Sequence, residues 1–431
     1  MDNNFFSFPV TDFLRTKQQV LSWADQFNTC CFLDNHQYHF NHHTYECIAA
    51  AGATAFIESP AGNALQQLRQ FQQVNTGWIF GHLGYDLKNE MEDLVSEKPD
   101  HIGFPDLYFF CPQTVLLLNK NELCISADDA SQAALIFEAL SNTVIQETTV
   151  AANPVGFEPR FSKQDYIATI EKLRGHILRG DCYEINFCQE FYAEGAALDP
   201  EATYRLLSAV SPAPFAAFYK INHRYLLCAS PERYLKKEGN QIISQPIKGT
   251  GKRDLQNKAS DEFNKQQLYT SSKDRSENVM VVDLVRNDLS RLCVEGSVQV
   301  EELFGIYSFP QVHQMVSTVS GTLQPGLLFT DIIRNTFPMG SMTGAPKKRV
   351  MELIEKYEAT KRGIFSGAVG YIAPGGDFDF NVVIRSILYN QQRQYLSYLV
   401  GSGITFYSNA SEEYEECLLK ASAIQQVFGK M

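Results

Sequence analysis

A lysine flanked by glycines, Lys248 in IKGTGKR (247–253), and two sets of carboxylates have the side chains best suited to do chemistry in this chain of 431 residues. Asp274 and Glu277 are three apart, and Glu413, Glu416 and Lys420 follow at i, i+3 and i+7. If those segments are helical, each set shares one face. Two such faces could hold a hard cation such as Mg²⁺, which takes oxygen ligands and keeps several waters. Acidic first turns also complement the helix dipole and are usually solvated, and spacing alone favours that plainer reading for each pair. Lys248 is similarly open: a lysine in a β-rich stretch is normally a solvated charge. A lysine buried beside glycines would instead lose its proton and become a nucleophile. His36, His39, His42 and His43 lack zinc-site spacing with cysteine and read as surface histidines.

These groups need elements to carry them. Short β-type runs fill residues 1 to about 140, and 147–160 loses periodicity and carries two prolines, which makes it a linker. The pattern then alternates. A helix is expected from Ser162, capped by that serine and ended at Gly180, and a strand over 183–191. Further strands are expected at 216–220, 225–229 and 241–244, and a helix over 271–292 with Ser272 as its cap. Another helix opens at 344–346, strands return at 366–373, 380–388 and 396–402, and a last helix starts after Ser411. Strand runs outnumber helices and are joined by hairpin-length connections, so the expected fold is α+β, a large antiparallel sandwich with helices outside. The regions are 1–146, belonging to the same sandwich, the linker 147–160, and a catalytic region 161–428.

The bulk numbers exclude several classes. Net charge is −12, so there is no basic footprint for nucleic acid or anionic lipid. Ten cysteines at irregular spacing, without a CxxC pair, fit reduced thiols in the cytoplasm. No signal-peptide core opens the chain, and the most apolar stretch, 47–57, is too short to span a bilayer. Neither a Walker A motif nor GxGxxG is present.

Read in order, the segments GDCYEINFCQEF (180–191), SPERY (230–234), QPIKGT (245–250), KDRSENVMVVDLVRNDLSR (273–291), MVSTVSG (315–321), FPMGSMTGAPKKR (337–349), GAVGYI (367–372), NVVIRS (381–386), GSGI (401–404) and EEYEECLLKA (412–421) resemble the chorismate-utilising enzymes. The resemblance is close over about 160–428 and weaker before 140, where GWIFGHLGYDLKNE (77–90) carries it. PIKGT, against PIAGT in the anthranilate-forming members, resembles the branch that aminates chorismate to aminodeoxychorismate on the route to 4-aminobenzoate and folate. The rival readings are the anthranilate-forming large subunit and a non-catalytic chorismate-binding regulatory subunit.

The resemblance implies Mg²⁺ between Glu277 and Glu416, with Asp274 and Glu413 behind them, gripping the ring carboxylate of chorismate near Lys420. It implies Tyr371, Arg385 and backbone amides near Gly401 at the enolpyruvyl carboxylate, with Gly249, Thr250 and the turn from Thr343 also binding substrate. Glu232 matches the general acid, kept protonated by burial or like charge, and Lys248 as free amine is the implied nucleophile. Ammonia is expected from a separate glutamine amidotransferase subunit, because no GxCxG elbow is present. Glu184 stands where relatives carry Gln, or a Lys that activates water. Gln314 stands where they carry the His of HxVS, and His313 should face the other side of its strand. A tryptophan site in relatives has counterparts here in FLDN (32–35) and SPAPF (211–215).

Overall fold

Alternate residues of the strands feed two different apolar cores. In the strand Thr29–Asp34, Cys31 enters one core while Cys30 and Phe32 enter the other. In Arg224–Ser230, Leu226 and Cys228 go one way and Tyr225, Leu227 and Ala229 the other. This two-residue period is the geometry of a pleated strand buried on both faces. One core is built mainly of strand side chains such as Phe80, Phe109, Tyr219 and Phe380. The other packs the opposite faces against outer helices, among them Phe13–Asp25, Lys163–Leu178 and Ala410–Val427.

This computed structural model describes residues 4–38, 42–145, 155–310 and 312–429. All pairings between its strands are antiparallel, so the fold is the expected α+β sandwich. The first region and the rest share the same sheet: Thr29–Asp34 pairs with Phe215–Ile221, and Ile79–Leu83 with Ala368–Ile372. Residues 147–154 of the expected linker, and His39, lie outside the described residues. The rest of that linker is not one: Glu158–Pro159 is a short strand against Tyr192 and Phe191, and the Phe157 ring packs 4.9 Å from Tyr398. Proline broke the periodicity there, but two residues at a sheet edge tolerate it.

Two helix starts differ by one or two residues from expectation. The helix Ser272–Ser290 is capped by Ser271, whose side chain accepts from the Asp274 amide, not by Ser272. The helix Ala410–Val427 starts before Ser411, because Asn409 accepts the Ser411 and Glu412 amides. Among the described residues no helix is long and apolar enough to cross a membrane.

Candidate active site

Both of these helices present side chains to one cleft, about 840 Å³ of empty space counting its open mouth. The helical spacing does what it implied: Asp274 and Glu277 come from one helix, Glu416 and Lys420 from the other, all on the cleft wall. The strand Ile247–Lys252 contributes Lys248, Gly249 and Thr250, and the strand Tyr395–Ile404 contributes Gly401 and Gly403. Glu232 enters from the turn between Arg224–Ser230 and Arg233–Glu238, where the Glu232 amide donates to Ser230 Oγ at 3.2 Å. Arg385, at a left-handed φ of 51°, and Gln314 complete the expected residues in the lining.

The cleft's charges are strongly biased. Burial pushes the Glu232 carboxyl up to about 7, against the opposing pull of the Ser341 hydroxyl, the Ile247 amide, Lys248 and Arg385. Burial thus accounts for the raised value, while the neighbouring charges are cations and act the other way, contrary to the like-charge alternative. Ser341 Oγ donates to Glu232 Oε1 at 2.6 Å. Burial likewise raises Glu277 to about 7, with Lys248 opposing. Glu416 is held down at about 2 by Lys420, whose Nζ is 2.8 Å away and also donates to the Gly401 carbonyl at 3.1 Å. Burial lowers the Arg385 guanidinium to about 10, partly offset by Glu232.

Lys248 departs from expectation. Its Nζ is 2.5 Å from Glu184 Oε1, and Glu184 is buried. Desolvation pulls the ammonium down, but Glu184, Glu277 and Glu416 together outweigh it and hold it above the usual lysine range. Burial by itself therefore does not produce a free amine here; a base must take its proton.

Some expected positions lie elsewhere. Tyr371 lines a different cavity and packs its ring 5.8 Å from Tyr45 and 5.6 Å from Trp78. Strand parity explains this, since the Ala368–Ile372 strand turns that side chain away from the cleft. Thr343 is fully buried beneath the cleft, its Oγ1 donating to the Met339 carbonyl at 3.1 Å. The turn after it is a two-residue strand, Gly344–Ala345, paired with Ile185 and Glu184, not a cradle of free amides. Glu413 is buried and bonded to Lys273 at 3.2 Å, outside the lining. His313 faces away from the cleft, as its parity required, and contacts Ser308 and Asp261 at 2.8 and 3.1 Å.

Sequence reasoning missed Gly403, Ser341, Asn186 and Lys273. A Cβ on Gly403 would overlap both Lys248 Nζ and Glu184 Oε1. The second glycine of GSGI was its only signal. Ser341 sat inside a quoted motif, but nothing in its spacing tied it to Glu232.

A sheet-borne lysine, a buried acid and two helices of carboxylates around one cleft are the arrangement of a particular enzyme class. The chain belongs to the family of chorismate binding enzymes, whose model matches residues 21–426. It is 34% identical over 348 residues to aminodeoxychorismate synthase component 1 of Salmonella typhimurium, covering 81% of this chain and 76% of that protein. It is 31% identical over 363 residues to the Bacillus subtilis protein of the same name, with the same coverage of 81% and 76%. Anthranilate synthase component I from Streptococcus pneumoniae superposes with a TM-score of 0.78 at 25% identity, over 90% of this chain and 96% of that one. The menaquinone-specific isochorismate synthase of Escherichia coli, at 14% identity and a TM-score of 0.76 over 99% and 94%, shares the fold.

Proposed function

We propose that this chain is the chorismate-aminating component of an aminodeoxychorismate synthase, converting chorismate and ammonia to 4-amino-4-deoxychorismate. The observation that carries the reading is Lys248: its Nζ reaches the cleft that also holds the buried Glu232, whose carboxyl burial pushes up to about 7. Glu184 Oε1, at 2.5 Å, accepts the lysine proton. The amine then forms a C–N bond to the ring, the double bonds shift, and the ring hydroxyl leaves as water with the proton of Glu232. Ammonia forms the next C–N bond at the carbon that lost the hydroxyl, and the electrons returning through the ring release the Lys248 amine. The enolpyruvyl ether takes no part and stays on the product.

Arg385 suits the enolpyruvyl carboxylate, because a guanidinium fork pairs bidentately with such a group. Glu277 and Glu416, with Asp274 beside them, suit a magnesium ion at the ring carboxylate. Among the described residues no three acidic, His or Cys side chains already converge as a metal cage. A cation that keeps most of its waters needs only one or two carboxylates, and Glu277 Oε1 is buried without a hydrogen-bond partner. Bound there, Mg²⁺ would neutralise and orient the ring carboxylate. Glutamine-derived ammonia would come from a separate amidotransferase subunit, and the reaction belongs in the cytoplasm.

The test is mass analysis of products after incubation with chorismate, MgCl₂ and ammonium chloride, with and without chelator. Aminodeoxychorismate, no pyruvate, and loss of turnover with chelator are expected. Anthranilate with pyruvate would overturn the assignment.

A further inference from the structure

We infer that Arg362 is a positioning residue for the acid step: it fixes the turn that carries Ser341, and through Ser341 the carboxyl of Glu232. The inference rests on the reading of Glu232 as the general acid. Arg362 is 2% exposed and does not itself line the cleft. A guanidinium has five N–H donors in a fixed plane, and here the five contacts are all made. Nε donates to Glu358 Oε2 at 2.9 Å and Nη2 to Glu358 Oε1 at 2.6 Å. Nη2 also donates to the Asn186 carbonyl at 2.8 Å, and Nη1 to the Met342 carbonyl at 2.7 Å and Ser366 Oγ at 3.3 Å. The Tyr85 ring, from the first region of the chain, covers the guanidinium at 4.5 Å.

Two of those acceptors flank Ser341. Met342 follows it in the 3₁₀ turn Gly340–Met342, and the Asn186 side chain donates to the Ser341 carbonyl at 2.8 Å. Ser341 Oγ in turn donates to Glu232 Oε1 at 2.6 Å. The counter-ion is fixed as well, since Glu358 Oε1 also accepts the Cys188 amide at 2.8 Å. One planar cation thus locks the Asn186 strand to the Ser341 turn at the point where that turn meets the acid. Lysine has the charge but not the plane, and would leave buried carbonyls without donors. The other groups facing Glu232 are the Ile247 amide, Lys248 and Arg385, none of which Arg362 contacts.

The experiment measures kcat and KM for chorismate against pH, with saturating ammonium and Mg²⁺, in wild type, Arg362→Lys, Ser341→Ala and Glu232→Gln. Arg362→Lys should lower kcat about 100-fold, the scale of a misplaced acid, with KM for chorismate within about threefold. The alkaline limb near pH 7 should move in both positioning variants, upward in Ser341→Ala because a donor to the ionised carboxylate is gone. A lower melting temperature with wild-type kcat and limb would overturn the inference. Ser341→Ala removes a single hydroxyl oxygen and decides the matter if Arg362→Lys does not fold: an unmoved limb there overturns it. If Glu232→Gln keeps wild-type kcat and limb, the acid reading fails and this inference with it. If Glu232→Gln is inactive while both other variants keep the wild-type limb, this inference alone fails.

Discussion

Glu232 and Arg233 are neighbours in the chain, yet their side chains line two different cavities, and the two cavities treat polar atoms in opposite ways. Around Arg233 the polar groups satisfy one another. Its guanidinium meets Asp379 at 3.0 and 3.1 Å and Gln245 at 2.6 Å. Asp34 is bonded to Lys17 at 2.8 Å, and Asn381 to the Val369 amide and the Phe215 carbonyl at 3.0 and 2.9 Å. FLDN and SPAPF, the two segments singled out in the sequence, meet at this cavity through Leu33, Asp34, Asn35, Pro214 and Phe215. In the cleft around Glu232, by contrast, Glu277 Oε1 and Gln314 Oε1 are buried and unpartnered. A buried polar atom without a partner costs roughly 1–3 kcal/mol. Such a cost persists where a ligand can recover it. The difference separates a cavity whose charges hold the sandwich together from one whose charges wait for substrate.

Substitutions can sharpen or break that contrast. The largest effect belongs to Lys248→Ala, which should lower turnover on the order of 10³-fold and abolish any covalent chorismate adduct seen by intact-protein mass spectrometry. Wild-type turnover in this variant would sink the nucleophile.

Next comes Glu232→Gln, expected to lower kcat about 100-fold with little change in KM. The sign of its pH dependence follows from its raised value. The carboxyl is protonated below about 7, so wild-type turnover should fall as pH rises through that point. Stability follows the same direction: the unfolded chain releases this proton near the ordinary 4.5, the folded chain only near 7. The folded state therefore binds the extra proton between those values and loses stability as pH rises across the window. Glu232→Gln should remove the fall in rate near pH 7 and make the stability curve less steep across that window, Glu277 keeping its own share, as read by steady-state rates and by denaturation at several pH values.

Gly403→Ala should cost about tenfold in kcat with little change in melting temperature. The methyl would meet Lys248 Nζ and Glu184 Oε1, the ends of two side chains that can shift apart but then no longer face each other. A large loss of stability without loss of rate would contradict this. Arg233→Ala should affect turnover least, within about threefold, yet cost about 3–5 kcal/mol in chemical denaturation by stranding Asp379 in the other cavity. If instead it removes activity and spares stability, the contrast between the two cavities is wrong.

The chain's own pattern determined a good deal. Short β-type runs joined by hairpin-length connections specified an antiparallel sandwich, and the i, i+3 and i, i+4 spacings placed Asp274 with Glu277 and Glu416 with Lys420. Parity along the strand Val312–Thr322 was enough to turn His313 away and Gln314 inward. Such features are local, because backbone geometry fixes them within a few residues.

Three things depended on the tertiary structure. Lys248 is charged because Glu184, 64 residues earlier, and the acids of two helices surround it. Tyr371 lies in the other cavity because that face of its strand, which pairs with Ile79–Leu83, meets Tyr45 and Trp78 from the first region. Ser341, Asn186 and Arg362 have no spacing that predicts their link to Glu232, since turns and strand ends far apart in sequence meet only once the sheet has closed. Electrostatics and hydrogen bonding depend on which groups end up adjacent, and long-range packing decides that.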